Sequence, residues 1–122
     1  MRAHDADRIL LGRLGEHIAA DYLRLKGYCI VERSFRCVSG EIDIIAKDKG
    51  VWVFVEVRTK SNDVYGSPLE TIDQRKRHKV REVAGYYLAI HRIPDVPVRF
   101  DAIGIQLKEA CDPFIEFVSD AF

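Results

Sequence analysis

Cysteine is scarce in this chain. Cys29, Cys37 and Cys111 are its three thiols among 122 residues. Their odd number and the absence of a C-x-x-C pair argue against a disulfide framework and against zinc. They predict reduced thiols and a cytoplasmic protein. The four histidines fall at no zinc-binding spacing. Long hydrophobic runs are also missing. The longest, Val51 to Val55, is far short of the roughly 20 residues of a membrane-spanning helix, so no membrane partner is expected. The opening M-R-A-H-D-A-D-R has no apolar signal segment. Neither sign of charge is in excess: nineteen Lys and Arg balance nineteen Asp and Glu. No whole-chain field therefore draws the protein to nucleic acid or membrane. What is present is 48% hydrophobic residues, enough for the core of one domain over residues 1–122.

Periodicity divides the chain. Leu11, Leu14, Ile18, Tyr22 and Leu25 recur every three or four residues, which predicts a helix over Ala6 to Lys26 with that face inward. Gly27 suits its C-terminal cap. Three strand-like runs follow, Tyr28 to Phe35, Glu41 to Ala46 and Val51 to Arg58. The last alternates cleanly, with Val51, Val53, Val55 and Val57 on one face and Trp52, Phe54, Glu56 and Arg58 on the other. Lys47-Asp48-Lys49-Gly50 reads as a hairpin turn and Asn62 to Gly66 as a loop. Ser67-Pro68-Leu69-Glu70 resembles a capping box opening a helix that runs to about His91. That helix has the stripe Ile72, Val80, Val83, Ala84 and Tyr87. Val98 to Leu107 reads as a fourth strand and Phe114 to Val118 as a fifth. The order α-β-β-β-α-β-β predicts an α/β fold, a mixed sheet flanked by helices.

Chemistry enters with acids placed in apolar strands. Asp43 sits within E-I-D-I-I-A and Glu56 within V-W-V-F-V-E-V-R. A tight turn at Lys49-Gly50 pairs positions summing to 99, which sets Asp43 opposite Glu56. Opposed like charges are destabilising unless a cation separates them. The pair offers oxygen ligands to Mg²⁺ or Mn²⁺. Arg58 shares the Glu56 face and can hold a phosphate or stabilise developing charge. Lys60 continues that side. The competing reading makes both acids ordinary ion-pair partners of these bases.

Lys76 falls on the apolar stripe, four residues from both Ile72 and Val80. It either points at acids on the sheet or snorkels from the helix start. Glu16 has Gly12, Ala19, Ala20 and Leu23 around it on its helix. It is either a site residue or a half-exposed helical acid. Arg75, Lys76, Arg77, Lys79 and Arg81 form a local basic run, either a phosphate-contacting patch or a solvated face. Asp101, in R-F-D-A-I-G-I, is expected to be structural. So are Cys29 and Cys37, which have no activating histidine.

Several of these stretches together resemble the YraN-type family of bacterial endonuclease-like proteins. They are Gly40 to Ala46 (G-E-I-D-I-I-A), Phe54 to Lys60 (F-V-E-V-R-T-K), Gly12-x-x-Gly15-Glu16, Gly27-Tyr28, Gly66-x-Pro68, Lys76 and Arg99-Phe100-Asp101. The resemblance spans nearly the whole chain. It implies a restriction-endonuclease-like core similar to that of Holliday junction resolvases. By that resemblance Asp43 matches the first acid, Glu56 the second and Glu16 a helical glutamate. Arg58 stands where lysine is usual. Arginine stays protonated and is a poor base, so Lys60 or Lys76 would supply the amine.

Three functions follow from these expectations. In the first, a metal-dependent nuclease, DNA favoured, binds Mg²⁺ or Mn²⁺ through Asp43, Glu56, the Val57 carbonyl and Glu16. Arg75, Lys76, Arg77 and Lys79 contact nucleic acid; such small nucleases often act as homodimers, although no dimer face is legible. In the second, an inactive nucleic-acid-binding module keeps the fold. In the third, a metal-dependent enzyme acts on a small phosphorylated substrate.

Overall fold

A computed structural model describes residues 3–61, 66–108 and 111–122, with side chains from residue 7 onward. Helix α1 (Ala3–Leu25) leads into strands β1 (Cys29–Cys37), β2 (Gly40–Asp48) and β3 (Val51–Lys60). A 3₁₀ turn (Pro68–Thr71) and helix α2 (Gln74–Ile90) cross over to β4 (Val98–Gln106), and β5 (Phe114–Val118) follows. One sheet holds the strands in chain order, antiparallel except for the parallel β3–β4 pair. This is the expected mixed sheet flanked by helices, consistent with a restriction-endonuclease-like core. No described helix is long and apolar enough to cross a membrane.

The turns follow from local chemistry. Lys49 and Gly50 both have positive φ, 52° and 84°, as a two-residue type I′ hairpin requires. The β2–β3 register runs from Asp48↔Val51 to Ile44↔Val55, the register expected from that turn. Gly27, at φ 94°, ends α1. The N–H of Tyr28 donates to the carbonyl of Leu23 at 2.9 Å, and that of Gly27 to Arg24 at 3.0 Å, which makes a Schellman motif.

The core has two layers. On one face Ala19, Ala20 and Leu23 of α1 cover Ile44, Ala46, Val53, Val55, Val57, Ile103 and Ile105. On the other, Val80, Val83, Ala84 and Tyr87 of α2 cover Phe35, Ile42, Ile45 and Phe54.

Three expectations are corrected. The buried face of α1 is Gly15, Ala19, Ala20 and Leu23; Leu14 is 48% and Leu25 89% exposed. Small residues are buried because the helix lies hard against β3. A Cβ on Gly15 would come within 1.8 Å of Thr59 Oγ1 and 2.9 Å of Thr59 Cβ. The second helix is not continuous from Ser67. Ser67 caps only the 3₁₀ turn, and Asp73 opens α2 by accepting from the N–H of Lys76 at 2.9 Å. The first strand begins at Cys29, extends to Cys37, and shifts register between Ile30 and Glu32. Of the loop expected over 62–66, residues 62–65 lie outside the described residues.

Glycine in a helix ordinarily costs about 1 kcal/mol against alanine. At position 15 the sign reverses. Gly15→Ala is expected to destabilise the protein by about 2 kcal/mol through overpacking, read as a lower urea midpoint. A higher midpoint would contradict the close approach of α1 to β3.

Candidate active site

The site lies where β2 and β3 part. Their ladder stops at Ile44↔Val55, and beyond it the N–H of Val57 donates to Asp43 Oδ2 at 2.8 Å. Side-chain alternation breaks at the same place. Ile42 and Ile45 both face α2, while Ile44 and Ala46 face α1. Across β1, the Arg33↔Ile44 and Phe35↔Ile42 pairs flank Ser34, whose φ is 55°. This break turns Asp43 toward α1.

Glu56 is 1% exposed and sits beside Asp43. Burial first, then the charge and hydrogen bond of Glu56, push the Asp43 carboxyl up to about 8. The Val57 N–H and the Arg58 guanidinium pull the other way more weakly. Glu56 Oε2 lies 3.1 Å from Arg58 Nη2 and 3.2 Å from Lys76 Nζ. Neither contact has hydrogen-bond geometry, and the buried Arg58 Nε has no hydrogen-bond partner among the described residues. The cations therefore neutralise Glu56 without saturating it.

Glu16 enters from α1. Its Oε1 accepts from Ser34 Oγ at 3.0 Å. Burial raises its pKa, Ser34 lowers it, and Asp43 raises it again. Glu16, Glu41 and Asp43 each offer a carboxylate oxygen, all within 4.8 Å of one another. Glu41 also pairs with Arg36 at 3.2 Å. The donor set is all carboxylate, partly buried, and electrostatically strained in the absence of a cation. It suits a hard divalent ion. A cleft of about 320 Å³, lined by Arg8, Leu11, Gly12, Glu16, Asp43, Val57, Arg58 and Thr59, opens onto it.

The structure thus brings together Asp43, Glu56, Arg58, Lys76 and Glu16. Lys60 stands four residues beyond Glu56, about 13 Å along the strand. Val57 shows its N–H on Asp43. Of the basic run, Lys76 turns inward. Arg75 and Lys79 are exposed, Arg77 lies over the Phe122 ring at 6.0 Å, and Arg81 over Phe100 at 4.9 Å.

Two residues escaped the sequence reading. Glu41 carried a signal, since it lies two residues before Asp43 and shares its side of the strand. Ser34 carried none, because nothing in S-F-R announces a positive φ. Asp101 is structural, as expected. It is fully buried and accepts from Arg99 Nε at 2.9 Å, Arg99 Nη2 at 3.0 Å, the Tyr28 hydroxyl at 3.3 Å and the Asp120 N–H at 2.9 Å.

A carboxyl raised on folding binds more protons in the native state than in the unfolded one. Stability then falls as pH rises between the ordinary aspartate range and about 8. In EDTA, urea midpoints at pH 5 and pH 8.5 are expected to show this fall. Asp43→Asn is expected to lessen it by at least about 1 kcal/mol. An equal fall in both proteins would contradict the assigned environment.

Known sequences resemble this chain over most of its length. A UPF0102 protein of Geotalea uraniireducens is 43% identical over 123 residues, covering 100% of this chain and 97% of its own. A UPF0102 protein of Clostridium botulinum strain 657 is 46% identical over 116 residues, covering 92% and 93%. One from Trichlorobacter lovleyi is 42% identical over 113 residues, covering 92% and 89%. The model of the uncharacterised protein family UPF0102 matches residues 15–105, a span that holds Glu16, Glu41, Asp43, Glu56, Arg58 and Lys76. With the family model and its relatives agreeing over most of the chain, the protein belongs to UPF0102, the YraN family.

Proposed function

We propose that this chain is a metal-dependent nuclease that hydrolyses phosphodiester bonds of nucleic acid, with DNA the favoured substrate. The observation that carries the reading is the convergence of three carboxylates, Glu16, Glu41 and Asp43, beside a cleft that Arg58 also lines, with Glu56 buried next to Asp43 and paired with Arg58 and Lys76. Asp43 and Glu56, with the Val57 carbonyl, would hold Mg²⁺ or Mn²⁺, and Glu16 and Glu41 would extend the oxygen set. Such an ion, when bound, supplies Lewis acidity to the phosphate and acidifies the attacking water.

The chain's own groups do the rest. Arg58 is permanently charged and donates to non-bridging phosphate oxygens, where negative charge grows. Lys76 holds a second positive charge against Glu56, 3.2 Å away. The Val57 N–H fixes one oxygen of Asp43. Ser34 fixes Glu16 in the same way. Arg75 and Lys79 are exposed on α2, across the sheet from the cleft.

The pairing of Glu56 with Arg58 and Lys76 favours a second reading, because it gives that acid counter-charges without metal. A nucleic-acid-binding module without activity would have the same ion pairs. The two readings separate in a cleavage assay on labelled single-stranded, duplex, flap and four-way-junction DNA and on RNA, each with Mg²⁺, Mn²⁺ or EDTA. The nuclease cuts at least one substrate with metal and none in EDTA. Folded Asp43→Asn and Glu56→Gln proteins each lose more than the roughly 10–100-fold that changes around a metal's ligands cost. Binding without cutting under every condition would overturn the catalytic reading and leave the module.

A further inference from the structure

Two glycines lie in α1, and only one has a packing reason. Gly15 is held by Thr59. A Cβ on Gly12 would meet nothing within 4 Å among the described residues. Yet glycine is the poorest ordinary residue in a helix interior, and an alanine would fit here. Gly12 lines the cleft beside the acids. Arg8, Gly12 and Glu16 are spaced by four residues and so form one stripe along the helix. The stripe is the cleft's α1 wall, and Arg58 lines the cleft as well.

The opposite approach is closed. On the α2 side Glu56 is 1% exposed and sits beneath Lys76. On the α1 side Glu16, Glu41 and Asp43 are only partly buried. The exposed basic residues Arg75 and Lys79 belong to α2, across the sheet.

We propose that the nucleic-acid strand reaches the acids along α1, its backbone passing over Gly12 with Arg8 on a flanking phosphate and Arg58 on the phosphate at the acids. This rests on the nuclease reading for the identity of the ligand and assigns the path that reading lacks. Arg8 stands two turns, about 12 Å, from Glu16, so it meets a neighbouring phosphate and not the scissile one. Gly12 is left bare because any larger side chain would stand where sugar and phosphate must pass.

The test is fluorescence anisotropy in EDTA, where no cutting occurs, with fluorescein-labelled single-stranded, duplex and four-way-junction DNA oligonucleotides. Arg8→Ala is expected to weaken binding of the preferred oligonucleotide several-fold at 0.1 M salt. It should also lower the slope of log K against log salt by about 1, as loss of one phosphate contact does. Gly12→Phe is expected to weaken binding tenfold or more, with the melting temperature unchanged or raised. Gly12→Ala is expected to melt about 4 °C higher, through helix propensity alone. If wild type binds and both Arg8→Ala and Gly12→Phe bind equally well, the path is wrong, whatever the cleavage assay shows. If Arg75→Ala with Lys79→Ala abolishes binding while Arg8→Ala does not, the strand lies on α2 instead. If wild type binds no oligonucleotide, the nucleic-acid reading itself falls, and the path with it.

Discussion

Two carboxylates face one another where β2 and β3 separate, and the surrounding structure is arranged about that repulsion. A buried pair of like charges costs several kcal/mol unless protons or cations intervene. The type I′ turn at Lys49-Gly50 sets the β2–β3 register, which runs as far as Ile44↔Val55 and leaves Asp43 and Glu56 just beyond the last pair. The irregular backbone at Ser34 and Asp43 turns one acid toward α1. The glycine at position 15 lets α1 approach closely enough for Glu16 to join it. The asymmetry across the sheet then matters: the cations Arg58 and Lys76 press on Glu56, while the acids Glu16 and Glu41 crowd Asp43. One acid is compensated from within the chain and the other is not.

The second buried acid of the sheet shows what compensation looks like. Asp101 is as inaccessible as Glu56, yet four donors from Arg99, Tyr28 and Asp120 saturate it. Arg99 also reaches Asp48 at 3.3 Å, which ties the β2 turn to β4. A buried acid in the same sheet is therefore saturated by hydrogen-bond donors in one place and held by ion pairs in the other. Burial alone does not separate the two; the count of donors does.

Much of this arrangement is legible in the amino-acid sequence. Strict alternation over Val51 to Arg58 and the Lys-Gly turn carry the hairpin register as far as Ile44↔Val55; Asp43 and Glu56 lie side by side beyond the last pair, where Asp43 accepts from the Val57 N–H. The position of Lys76 on the α2 stripe carries its inward direction. The buried face of α1 is not legible, because close helix–sheet packing selects small residues. Gly15, Ala19 and Ala20 leave a weak apolar pattern, and the larger Leu14 and Leu25 point to the wrong side. The break at Ile72-Asp73 is hidden by a genuine cap at Ser67, which closes a 3₁₀ turn and not the main helix. Ser34 belongs to a backbone irregularity that only the paired strands create, and so its contact with Glu16 is not legible in the sequence.

The central claim is that the acids form one cation site. Anomalous scattering from crystals grown with Mn²⁺ measures that directly. The account predicts a peak in the cleft within about 2.5 Å of an Asp43 oxygen, with further ligands drawn from Glu16, Glu41 and Glu56. A cleft without a peak, with Lys76 and Arg58 still closed on Glu56, would contradict it and make the acids a charge-paired structural cluster.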